Sequence, residues 1–111
     1  MHSPITLTFK EDLDLAYRPE LRAALQRVVE APAVVLDLSA VPYMDSTAIA
    51  ELIIFYKQRD CRGVSIVVSP SIDKLLSISG LNRLFATYDS LAEALAGAGR
   101  ASGSHDLQTS A

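Results

Sequence analysis

Apolar runs of strand length alternate along the chain with amphipathic stripes of helical spacing. Ile5-Thr6-Leu7-Thr8-Phe9 alternates apolar and polar residues, the period-two pattern of a half-buried strand. From Pro19 to Val29 the apolar positions Leu21, Ala24, Leu25, Val28 and Val29 recur at helical spacing. Pro19 sits where a first-turn proline is tolerated, and Pro32 ends the segment. Ala33 to Leu38 is a continuous apolar run broken only by Asp37, which suits a central strand with both faces covered. Ser39 to Asp45, with Pro42, reads as a loop. Ile49, Leu52, Ile53 and Tyr56 then form an i, i+3, i+4, i+7 stripe, which predicts a helix from Ser46 to about Arg62, closed by Gly63. Val64 to Val68 is the next buried strand. Ser69-Pro70-Ser71 opens a short helix carrying Ile72, Leu75 and Leu76, and Gly80 closes it by supplying a special backbone conformation. Leu84 to Tyr88 is a further short strand. Asp89 or Ser90 caps a last helix, Leu91 to Ala96, with Glu93 in its first turn.

This alternation predicts an α/β sandwich with a mostly parallel central sheet of about four strands and about four helices. Right-handed crossovers restrict its topology further. Residues 1–97 make one domain. From 98 to 111 the chain is small, polar and rich in Gly and Ser; it lacks the apolar area that would offset the entropy of ordering, so a flexible tail is expected.

Composition excludes several function classes. Half of the 111 residues are hydrophobic, enough for a core without metal or disulfide staples. The single cysteine, Cys61, excludes an intramolecular disulfide and a cysteine-only metal site. One free thiol suits a reducing compartment. The opening MHSPITLTFKEDLD lacks the basic and apolar regions of a signal peptide, and no apolar stretch approaches the ~20 residues that span a bilayer. A cytoplasmic protein without direct membrane insertion is therefore expected. The formal net charge is −3 with scattered cations, so no nucleic-acid partner is expected. Lys57, Arg59 and Arg62 read as a solvated helix face. His2 and His105 lie near the two ends of the chain, neither placed as a base or metal ligand. Cys61 reads as a spectator thiol.

Chemistry concentrates at one junction, where the buried strand ending at Asp37 runs through a loop to Asp45-Ser46-Thr47 at a helix start. In α/β sheets, functional groups gather where strand ends meet helix starts. The residue types favour Ser46 as the helix N-cap, accepting a backbone N–H through its hydroxyl. Asp45 as cap, with Ser46 at the first helical position, is the alternative. In either case a phosphate at this place meets the orphan N–H groups and partial positive charge of a helix start. It would add roughly −1.5 to −2 charges at neutral pH, enough to repel an acidic or apolar partner while leaving the domain folded. On the N-cap reading, Ser46→Ala costs ~1–2 kcal/mol. Thr47 is a weaker acceptor that supports the helix start. No G-x-S-x-G elbow, glycine-rich phosphate loop or core histidine is present, so catalysis and a cofactor are not expected.

The segments LDLAYRPELRAAL (13–25), VVLDLSAVPYMDSTAIAEL (34–52), the strand before Ser69, SGLNRLF and SLAEAL together resemble the STAS family, and within it the bacterial anti-sigma-factor antagonists. The resemblance covers about Ile5 to Ala96. Its pattern is an apolar strand ending in aspartate, a loop with an aromatic, then Asp-Ser-Ser or Asp-Ser-Thr opening a helix; Asp37, Tyr43, Asp45, Ser46 and Thr47 stand at those positions. It implies that Ser46 is phosphorylated by a partner that is both anti-sigma factor and serine kinase. The unphosphorylated form would bind that partner and free the sigma factor; phosphorylation would end binding, and a phosphatase would reset it. It further implies partner contacts at Asp14, Tyr43, Asp45, Ser46, Thr47 and Ala48. Asp14 matches an acidic position near the phosphoacceptor, and it equally reads as a turn or cap residue. Two residues depart from the pattern, Ala48 and Glu11, each where the family often has glycine. The Ala48 methyl is expected to favour helix and weaken partner docking. STAS domains also serve as docking subunits of lipid-transport ATPase complexes and stress-signalling assemblies, and the resemblance leaves that alternative and the oligomeric state open.

Overall fold

A computed structural model describes residues 4–98 of the chain. Its elements follow one another as β1 (Ile5–Thr8), a 3-10 turn (Leu15–Tyr17), α1 (Arg18–Arg27), β2 (Val34–Asp37), α2 (Ser46–Gln58), β3 (Val64–Val67), α3 (Pro70–Ser79), a second 3-10 turn (Leu81–Arg83), β4 (Ala86–Tyr88) and α4 over residues 91–98. The strands pair in chain order, β1-β2-β3-β4, and every pairing is parallel. The α/β fold with a four-stranded parallel sheet and four helices is the one the alternation of patterns predicts.

Strand alternation divides the core into two layers. Val34, Leu36, Val64 and Ile66 point to the face covered by α1, α2 and α3, through Leu21, Ala24, Leu25, Ala48, Leu52, Phe55, Ile72 and Leu76. Right-handed crossovers between sequential parallel strands put their helices on one face. Val35 and Val67 point the other way and meet Ala94 and Ala98 of α4. The central strands β2 and β3 are thus buried on both faces, which accounts for their continuous apolar character. The edge strands β1 and β4 are partly exposed.

Several boundaries differ from the pattern. Helix α2 ends at Gln58, not near Arg62. Arg59 is its C-cap, Asp60 and Cys61 take left-handed φ values of 57° and 59°, and Cys61 N–H donates to the Tyr56 carbonyl at 2.9 Å while Asp60 N–H donates to that of Lys57 at 3.1 Å. That is the Schellman arrangement, with an aspartate in the place glycine usually takes. Arg59 does not join a solvated face; it is 7% exposed. Its guanidinium donates to the carbonyls of Val28, Val29, Pro32, Arg62 and Gly63 at 2.9–3.3 Å, so it satisfies the backbone where α1 ends and β2 and β3 begin. Burial lowers its pKa. Gly63, with φ +73°, lets this happen: a Cβ there would lie 2.7 Å from the Arg59 Nη2. The last strand begins at Ala86 because Leu84 and Phe85 N–H groups both bond back to Leu81. Helix α4 reaches residue 98, two residues beyond the expected end, because Ala98 is buried against the sheet. Ser90, rather than Asp89, caps it, accepting the Glu93 N–H at 3.2 Å. Gly80 closes α3 in the left-handed region, as expected. Ala98, expected to open the tail, belongs instead to α4; the rest of the expected tail, His2 and His105 lie outside the described residues.

Glu51 ties α1 to α2. It is 3% exposed, yet its carboxylate accepts from Arg18 Nε at 3.1 Å and from Arg22 Nε and Nη2 at 3.1 and 2.6 Å. The hydrogen bond from Arg22 holds its pKa below the ordinary carboxylate range, against the opposing effect of burial.

Replacing Arg59 with Met should lower stability by about 2–3 kcal/mol, since buried carbonyls lose charged donors; a thermal or denaturant melt measures it. Glu51→Gln should cost about 1–2 kcal/mol at neutral pH. Because the Glu51 pKa is lower folded than unfolded, this contribution exists above the unfolded value of about 4.3 and disappears as pH falls through the folded value. Wild type and Glu51→Gln melts should therefore converge as the pH is lowered past that range.

Candidate functional site

The C-terminal edge of a parallel sheet collects the loops that leave its strands. Here the loop after β1 and the loop after β2 are sewn together. Leu13 N–H donates to the Tyr43 carbonyl at 2.8 Å and Asp45 N–H donates to the Leu13 carbonyl at 3.1 Å, forming a parallel bridge between Leu13 and Met44. Both bridge residues are anchored in the core, Leu13 at 0% and Met44 at 4% exposure. Their sequence neighbours therefore come to one end of the molecule: Asp14 and Leu15 from the first loop, Tyr43, Asp45 and Ser46 from the second.

Asp45 is the N-cap of α2. With extended backbone at φ −114°, its carboxylate accepts Thr47 N–H at 2.9 Å and Ala48 N–H at 3.3 Å. The alternative reading of the junction is thus the one the fold adopts: Ser46 occupies the first helical position and is not the cap. An aspartate offers a charged acceptor to the positive helix end, which a serine hydroxyl does not. Ser46 is exposed, and Thr47 is half-buried. Because Asp45 already occupies the amides of Thr47 and Ala48, a phosphate on Ser46 would stand beside a carboxylate and face outward.

Tyr43 is 54% exposed. Asp14 caps the first 3-10 turn, accepting Tyr17 N–H at 3.2 Å, so its cap role is realised at a place the bridge brings to the junction. Asp37, at the end of β2, accepts from the Ser39 N–H and hydroxyl at 3.1 and 2.6 Å, shaping the turn that leaves the strand. Ala48 does not belong to the exposed set. It is 0% exposed and packs in the core with Leu52 and Phe55, so its methyl faces inward and cannot obstruct a partner as the sequence suggested. Glu11 is exposed, and Cys61 is exposed at the C-terminal end of α2, away from the junction. Among the described residues no group of His, Cys, Asp and Glu could hold a metal ion, and no helix is long and apolar enough to cross a membrane.

Sequence reasoning missed Leu15, which is 64% exposed two residues after fully buried Leu13. Its only signal was negative: it falls outside the apolar stripe of α1. It also missed Glu51, whose signal was a charged residue on the buried stripe of α2 between Ala48 and Leu52.

The STAS domain profile matches residues 2–94. The chain belongs to the STAS domain family. Among solved structures, an anti-sigma factor antagonist from Mycobacterium paratuberculosis is 26% identical, with 88% of each chain covered and a TM-score of 0.77. A sulfate transporter family protein from Wolinella succinogenes is 20% identical over 88% of each chain, with a TM-score of 0.69. An anti-sigma-factor antagonist (STAS) domain protein from Planctomyces limnophilus is 18% identical over 81% of each chain, with a TM-score of 0.67. The latter two share the fold of this STAS domain; the first also supports a likeness to the antagonists.

The cap assignment sets an expectation that separates two adjacent residues. Asp45→Ala should lose about 1 kcal/mol, the usual cost of a lost cap. Ser46→Ala should change stability by no more than about 0.5 kcal/mol, as an exposed substitution does, less than the N-cap reading implied. Paired denaturant melts check both.

Proposed function

We propose that this STAS domain is an anti-sigma factor antagonist whose binding is switched off by phosphorylation of Ser46. Unphosphorylated, it binds an anti-sigma factor that is also a serine kinase and displaces the sigma factor. The kinase transfers the γ-phosphoryl of ATP to the Ser46 oxygen, with the hydroxyl proton taken by a base of the kinase and ADP leaving. A phosphatase restores the free hydroxyl. On this reading the protein is a cytoplasmic phosphoprotein that regulates transcription through protein binding and is a substrate rather than an enzyme.

The observation that carries the reading is the exposed Ser46 at the first position of α2, with the helix cap supplied independently by Asp45. The hydroxyl does not cap the helix, so its modification leaves the helix start intact. A dianion of roughly −1.5 to −2 charges then acts on whatever covers it, and an apolar partner surface loses favourable contact. Asp14, Tyr43, Asp45 and Thr47 complete the proposed contact surface. The likeness to the Mycobacterium antagonist supports the same partner class.

The alternative is a static docking subunit of a lipid-transport ATPase or stress-signalling assembly. Intact-protein mass spectrometry with site mapping separates the two, after incubation with ATP and each candidate anti-sigma kinase from the same organism. One phosphate on Ser46, absent from Ser46→Ala, is the expected result, and Ser46→Glu should bind the same kinase more weakly. Folded protein that accepts no phosphate from any candidate would favour static docking.

A further inference from the structure

Large apolar side chains are exposed at only six places among the described residues: Ile5, Leu15, Tyr43, Ile54, Ile78 and Leu84. Two of them, Leu15 at 64% and Tyr43 at 54%, belong to the two loops that the Leu13–Met44 bridge joins. Tyr43 lies three residues before Ser46, and Leu15 lies two after the residue whose carbonyl holds Asp45 N–H. The same loops carry the carboxylates of Glu11, Asp12, Asp14 and Asp45, with that of Asp37 at the end of β2, against a single lysine, Lys10. An exposed apolar pair inside an acidic surround is the composition of a docking surface with an apolar centre and a charged rim.

We infer that Leu15 and Tyr43 are the apolar anchors of this STAS domain's docking surface, and that they fit a partner protein with an apolar recess ringed by lysine or arginine. The inference rests on the Ser46 reading for its partner and adds what that partner must present. Charge complementarity with the five carboxylates calls for the basic ring. The apolar recess follows from Leu15, an aliphatic side chain left 64% exposed, whereas its neighbour Leu13 is fully buried. This arrangement also assigns the physical origin of release. A basic ring attracts a phosphate, so Coulomb repulsion does not end binding. The cost is the loss of water from a dianion placed against an apolar recess.

The test uses the full chain and each candidate anti-sigma kinase from the same genome, with Kd measured by calorimetry. Leu15→Ser and Tyr43→Ala should each weaken binding about tenfold or more. Ile78→Ser should leave it unchanged; Ile78 is 74% exposed in the last turn of α3, at the opposite edge of the sheet. Wild-type affinity should fall as salt rises, and the deficit of Ser46→Glu should persist at high salt. Circular dichroism establishes that each variant is folded. Normal binding by Leu15→Ser and Tyr43→Ala with weak binding by Ser46→Glu overturns this inference and leaves the Ser46 switch standing. Normal binding by Ser46→Glu with weak binding by Leu15→Ser does the reverse. Affinity that rises with salt overturns the basic ring, and absence of wild-type binding to every candidate overturns both.

Discussion

Two backbone hydrogen bonds made by Leu13 decide where this domain presents its chemistry. A loop leaving an edge strand has no ladder to hold it, and loops are the most mobile parts of a fold. By donating to Tyr43 and accepting from Asp45, Leu13 turns the β1 exit into a one-residue extension of the sheet. Its side chain is buried, as is that of Met44 opposite. The bridge is therefore protected from competing water, and a buried backbone pair is costly to open. Everything assigned to the junction, from Asp14 to Ser46, takes its position from this bridge.

The opposite end of the strands is held by a different device. Arg59 collects five carbonyls from three chain segments, and Asp60 and Cys61 turn the chain sharply so that it can do so. Between the two ends, Glu51 clasps Arg18 and Arg22 across α1 and α2. Arg18 is the first residue of α1 and follows directly on the 3-10 turn that Asp14 caps. The clasp thus steadies one flank of the junction from behind, with its charge satisfied inside the molecule rather than on a partner.

The sheet and the helices were legible because their signals are periodic. The buried runs 34–37 and 64–67 and the stripes of α1, α2 and α3 are local properties of the sequence, and parallel pairing follows from their alternation. The helix stop at Gln58 was not legible, because it depends on Arg59 reaching carbonyls some thirty residues away; locally, Lys57, Arg59 and Arg62 look like any solvated face. Gly63 was a sound glycine to single out but for the wrong reason: it makes room for a guanidinium instead of ending a helix. At the site, Asp45 and Ser46 were both visible as cap candidates, and only the backbone geometry chose between them. Leu15 and Leu13 are the same residue type two positions apart, and a tertiary bridge, not the sequence around them, determines which one is buried.

The choice of cap has a consequence for how a phosphate could work here. Had Ser46 been the cap, its phosphorylation would have replaced the acceptor that satisfies the helix start, and the fold would have had to absorb the change. With Asp45 holding the Thr47 and Ala48 amides, the helix start is complete before any modification. A phosphoryl group on Ser46 would find those amides taken and a carboxylate beside it, so it would gain little by folding inward. Its free energy then appears where water is removed, which is at a partner's surface. On the proposed reading the domain would need no conformational change to switch: with the loops joined at Leu13 and α2 capped by Asp45, the interface alone would register the charge.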